Sequence, residues 1–71
     1  MEENFDRIEN NFKYHEPKDD QPIRYDIIRD GARHLAHNID INCPDSREKS
    51  LALTKLEEAV LWANASIARN E

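Results

Sequence analysis

The sequence predicts an all-α protein: an antiparallel two-helix hairpin with a short N-terminal helix, completed by homo-oligomerisation. Three observations carry that prediction. Apolar residues recur at helical spacing in two long stretches separated by the short break Asn42-Cys43-Pro44-Asp45. The last stretch runs to about Asn70 with neither Gly nor Pro to break it. The last helix carries apolar residues on two faces, more than one partner helix can cover. With 71 residues and one cysteine, an intramolecular disulfide is excluded, and a chain this short needs another way to complete a core.

The elements follow in order, within a single domain spanning residues 1–71. Residues 1–21 read as a weak helix followed by an extended linker. Phe5, Ile8 and Phe12 fall at i, i+3 and i+7, and Pro17 restricts Glu16 to extended geometry. Tyr14 and His15 are presented from that irregular stretch. The second helix is expected over 22–41. Pro22 suits a first turn, with Asp20 or Gln21 at the cap. Ile28, Ala32, Leu35 and Ile39 form its apolar stripe, widened by Tyr25 and Ala36. Gly31 in the interior costs about 1 kcal/mol against alanine. The third helix is expected over 45–70, where Asp45 or Ser46 caps it and Asp45 with Glu48 resembles a capping box. Its first stripe is Leu53, Leu56, Val60, Ala63 and Ile67, which packs on the second helix. Its other apolar set is Leu51, Leu61, Trp62 and Ala65, for which another protomer is the better cover.

Charge bounds the partners. The chain carries 15 acids and 10 bases, a net −5. Residues 1–21 hold seven acids against three bases, and residues 22–71 hold eight against seven. The body is nearly neutral, which suits a small anionic ligand and argues against a DNA or RNA polymer. No apolar run reaches the roughly 18–20 residues of a membrane span. The acidic start Met1-Glu2-Glu3-Asn4 has no apolar region of the kind a signal peptide carries.

Catalytic and metal constellations are weak. His34 and His37 with Asp30 share helical spacing suited to a metal, but the ligand set is incomplete and a polar helix face is favoured. Glu57 and Glu58 diverge by about 100° on a helix and form no shared carboxylate site. Cys43 lacks an oriented base. Neither a metal nor a cofactor is expected. Tyr14 and His15, with Arg24, Tyr25 and Arg29, are more suggestive. Aromatic rings stack on nucleobases and Arg pairs with phosphate. The alternative is that Tyr14 fills an apolar gap and Arg29 is ordinary surface.

Two blocks of sequence bear a resemblance. One is Phe12-Lys13-Tyr14-His15-Glu16-Pro17, followed by Gln21-Pro22-Ile23-Arg24-Tyr25 and Ile28-Arg29. The other runs from Pro44 to Arg69 and includes Ser46-Arg47-Glu48-Lys49-Ser50-Leu51, Leu56-Glu57-Glu58-Ala59-Val60 and Trp62-Ala63-Asn64-Ala65. Together they resemble the anti-CBASS cyclic-nucleotide sponges of phages, the second type of anti-CBASS protein, which share a helical hairpin with a Thoeris anti-defence sponge. The resemblance covers about residues 12–70. It implies a homohexamer of hairpins in the cytoplasm of the infected bacterial host. Such a protein binds cyclic dinucleotides, cyclic GMP-AMP among them, at protomer interfaces and cyclic trinucleotides at separate sites. It hydrolyses neither, so it is not an enzyme. The resemblance places a base-stacking aromatic at Tyr14 and a phosphate-binding cation at Arg29. The trinucleotide site falls near Gly31 and Arg69. His15 and Arg24 join the dinucleotide set from local proximity. A second function stays open: a small helical adaptor that binds a host protein through its acidic N-terminal arm.

Overall fold

The structure is a computed structural model and describes residues 2–71; Met1, in the expected N-terminal element, lies outside them. Three helices follow one another, α1 (Glu2–Phe12), α2 (Gln21–Asn42) and α3 (Arg47–Asn70), with no strand among the described residues. α2 and α3 pack side by side as the hairpin, while α1 stands largely apart from both.

The ends of α2 follow from its flanking residues. Asp20 is the N-cap and Pro22 sits in the first turn, where a missing N–H goes unmissed. Asp19, just before, has φ 53°, a left-handed conformation that Asp tolerates better than most residues. At the other end Cys43 is extended because Pro44 follows it, and its N–H donates to the Ile39 carbonyl at 3.0 Å. The free thiol of Cys43 is exposed at this hairpin tip.

The start of α3 differs from one sequence expectation. Ser46 is the cap, its hydroxyl accepting from the Lys49 N–H at 3.1 Å. Asp45 and Glu48 form no capping box, because with Ser46 at the cap the third helical position is Lys49. Asp45 instead pairs with the Lys49 ammonium at 2.9 Å, and Asp40 from the end of α2 does the same at 2.9 Å. The Lys49 side chain is largely covered, at 10% exposure. Its two carboxylate partners raise its pKa, and its hydrogen bond lowers that of Asp40. This clamp joins the two helices across the turn.

The hairpin seam matches the apolar stripes. Ile28, Ala32, Ala36 and Ile39 of α2 are half-buried against Leu53, Leu56, Val60, Ala63 and Ile67 of α3. Leu35, expected in the stripe, stays exposed. Yet no hydrophobic side chain among the described residues is fully buried, and Gln21 is the one buried polar residue. A compact folded monomer of this mass exposes roughly 4,600 Å², whereas this chain exposes 6080 Å². Its extents, 48 × 31 × 13 Å, are those of a slab one helix thick. The surplus, roughly 1,500 Å², is about what two standard interfaces take from one partner.

The other end of the slab is held by polar contacts. Arg24 makes a two-pronged pair with Glu71, one bond at 2.8 Å, and lies 3.3 Å from Asp20. Gln21 donates to Glu71 at 3.3 Å, and Lys18 donates to the Glu71 carbonyl at 2.6 Å. Arg24 is the main cause that holds the Glu71 carboxyl down, to about 2 from an ordinary 4.5. A carboxyl with a depressed pKa stabilises the fold above its unfolded value, and that contribution is lost as pH falls through the folded one. Glu71→Gln is therefore expected to flatten the loss of stability between about pH 4.5 and pH 2, measured by denaturant unfolding at each pH.

Candidate functional site

The site is assembled by three segments near the open end of the hairpin. Tyr25 and Arg29 lie one turn apart on α2. Asn64, Ala65, Ala68 and Arg69 lie on the last turns of α3. The linker lays His15 between them. These residues line a cleft of about 450 Å³. The hollow exists because Ala65 and Ala68, at i and i+3, offer only methyl groups where larger side chains would close the gap between α3 and the linker.

Hydrogen bonds set the orientation of the linker wall. The His15 Nε2 lies 2.8 Å from the Asn10 carbonyl. A carbonyl accepts only, so Nε2 carries the proton and donates, which leaves Nδ1 as the acceptor of the neutral ring. The Asn10 side-chain amide donates to the Arg69 carbonyl at 3.3 Å. These two bonds tie the end of α1, the linker and the end of α3 together around the cleft.

Electrostatically the cleft is cationic. Arg29 and Arg69 both line it. Arg29 is tied to Asp26 at 2.8 Å, yet its side chain is 68% exposed, so it can trade that surface pair, worth little in water, for a phosphate. Asn64 contributes a side-chain oxygen that is buried and has no partner. A second hollow of about 480 Å³ adjoins the cleft and shares His15, Ala68 and Arg69 with it. Tyr14 lines that second hollow, 80% exposed, its ring available for stacking.

The structure regroups the sequence candidates. His15, Arg29 and Arg69, divided between two sites by sequence, share one cleft, and Tyr14 is next to it. Arg24 lines neither hollow, because its guanidinium is engaged with Glu71 and Asp20, which raise its pKa. Gly31 faces open space, with nothing within 4 Å of where a Cβ would stand, and it lines neither hollow. At such a position Gly31→Ala is expected to stabilise the helix by about 0.5–1 kcal/mol, read as a higher denaturation midpoint; a lower one would place a neighbouring surface against Gly31 in the assembled protein. Asn64, Ala65 and Ala68 went unnoticed in the sequence as site residues. The signal was spacing: Asn64 and Ala68 at i and i+4, with Ala65 three residues before Ala68, put short side chains on one face of the helix.

Among the described residues, no group of three or more His, Cys, Asp or Glu is placed to hold a metal ion. No described helix is long and apolar enough to cross a membrane.

Comparison with known proteins agrees with this architecture. No curated protein and no solved structure matches the chain significantly. One family model, described as the Acb2/Tad1 hairpin domain, matches residues 5–68. That span takes in most of α1, the linker, all of α2 and all but the last residues of α3, including every residue of the cleft except Arg69. The chain therefore belongs to the Acb2/Tad1 hairpin-domain family, the anti-CBASS and anti-Thoeris sponges, a family of binding proteins rather than catalysts.

Proposed function

We propose that this protein sequesters cyclic di- and trinucleotide messengers, cyclic GMP-AMP among them, and releases them unaltered, which keeps CBASS effectors inactive in the cytoplasm of an infected bacterium. The observation that carries this reading is the meeting of Arg29, Arg69 and His15 in one cleft beside the exposed ring of Tyr14. Two guanidinium groups suit the two phosphates of a cyclic dinucleotide, and an aromatic face suits a base. A cyclic ligand is rigid, so little of its freedom is lost on binding, and preorganisation favours high affinity. Tyr14, Arg29, His15 and Arg69 form the dinucleotide set, while Arg24 on α2 supports it from outside by holding Asp20, at the end of the linker, beside Glu71. Arg69 also serves the trinucleotide site, together with Gly31 from a neighbouring copy.

The protein acts as a homo-oligomer, a hexamer on the family's pattern. The support is the surplus of exposed surface and the absence of a buried apolar side chain among the described residues. A cleft of about 450 Å³ open at one side is completed by a second copy.

Capture and release tests the reading. The protein is mixed with cyclic GMP-AMP or a cyclic triadenylate, free ligand is filtered away, the protein is digested, and the released ligand is chromatographed. Depletion followed by intact recovery is expected. An altered product would make the protein an enzyme. Failure to deplete either ligand would favour the adaptor function, in which the acidic N-terminal arm engages a host protein.

A further inference from the structure

We infer that α1 of one copy docks, through Phe5, Ile8 and Phe12, into the groove between α2 and α3 of a second copy. This deepens the assembly half of the function proposed above, by naming the two surfaces that meet.

The first surface is α1. Phe5, Ile8 and Phe12 are 63%, 55% and 86% exposed and lie along one face of the helix. Over seven residues that stripe is roughly 10 Å long. Asp6 and Glu9 form an acidic line beside it, at 100° per residue. An 11-residue helix this polar is short for stability by itself in water, so its apolar face needs a seat.

The second surface is a groove of about 690 Å³ along the middle of the hairpin, with a floor of Ala32, Ala36, Leu53, Leu56 and Val60. The alanines of α2 leave a depression that larger side chains would fill. Along the α2 rim stand Arg29, Arg33 and His37, at i, i+4 and i+8, a ridge roughly 12 Å long. An apolar stripe with acids along one side thus meets an apolar floor with bases along its α2 rim, at matching length, while the α3 rim carries Leu61 and a single acid, Glu57. Asp40 on the α2 rim is already neutralised by Lys49 at 2.9 Å.

The occupant is a second copy rather than the chain's own α1. Asn10 is bonded to the Arg69 carbonyl at 3.3 Å, and His15 to Asn10 at 2.8 Å. Those bonds hold the end of α1 beside the end of α3, twelve residues from Glu57 at the groove, roughly 18 Å along the helix. Reaching its own groove would cost α1 both bonds. A neighbouring copy costs neither and is present at the same concentration. The two surfaces differ, so the contact is head-to-tail, and successive copies close into a ring where the rotation allows.

The test uses the full chain. Sedimentation over a range of concentrations compares the wild type with Phe5→Ser/Phe12→Ser, Glu9→Arg, Arg33→Glu and the crossed pair Glu9→Arg/Arg33→Glu. The serine variant and each single reversal are expected to weaken association, the serine variant about 100-fold, and the crossed pair to regain most of the loss. A second measurement guards against a variant that misfolds. In a Cys43→Ser background, Ile8→Cys and Leu61→Cys chains are prepared separately, mixed and oxidised, and a disulfide joining the two unlike chains is expected. A monomeric wild type, an unchanged mass in the serine variant, or no cross-link between unlike chains would overturn the inference, as would stable binding of α1 to a host protein in place of the second copy. Nucleotide capture is measured on the same samples. An assembly that forms through α1 and holds no cyclic nucleotide would refute the sponge function and leave the docking intact.

Discussion

Arg29→Glu abolishes binding of a cyclic dinucleotide, a loss of at least about 100-fold in affinity, read at a protein concentration at which sedimentation finds the chain still assembled. The reasoning is electrostatic. A phosphate in the cleft gains charge-assisted hydrogen bonds from Arg29, and these are stronger than neutral ones. Reversing the charge removes them and places a carboxylate against the phosphate. The native side chain is 68% exposed and bonded to Asp26 alone, so the hairpin loses little when it is replaced. Titration calorimetry reads the affinity. Retained affinity in an intact assembly would remove Arg29 from the site and leave Arg69 as the principal cation. Arg29→Lys, which keeps the charge but gives up the planar fork, should retain part of the affinity.

Trp62→Glu has the largest expected effect on stability: loss of assembly and, with it, most of the helix signal in circular dichroism. Trp62 is 64% exposed in the single chain and continues the surface formed by Leu61. By the usual rule a substitution at so exposed a position changes little. That rule assumes a core elsewhere, and none of the described hydrophobic side chains is fully buried. If folding and association are one equilibrium, the melting temperature of the wild type rises with protein concentration, which a dilution series reads directly. A helical, monomeric Trp62→Glu variant would show that the hairpin folds alone.

Much of this fold was legible in the sequence because helices announce themselves by periodicity and by their ends. The stripes from Ile28 to Ile39 and from Leu53 to Ile67 face each other as expected, apart from Leu35, and Pro22 and Pro44 mark their boundaries. The cap of α3 was half legible. Asp45 and Ser46 are both good caps, and which one serves depends on Lys49, whose ammonium draws Asp45 away. The site was harder. Sequence proximity placed Arg24 with Arg29, yet the two diverge by about 140° around a helix at 100° per residue, and Arg24 turns to Glu71, 47 residues away. Arg69 joins His15 for the opposite reason: they are distant in sequence and are brought together by the return of α3. Nothing local in a sequence encodes that pairing.

The turn between α2 and α3 has a practical consequence. Its Cys43 thiol is the chain's one cysteine and is exposed at the tip of the slab, thirteen helical residues, or roughly 20 Å, beyond the α2 wall of the cleft at Arg29. A fluorophore coupled there labels every molecule once, at a known place, without entering the cleft. Its depolarisation reports tumbling, and hence particle size, while unlabelled ligand is titrated, so a change of assembly on ligand addition is read without a label in the cleft.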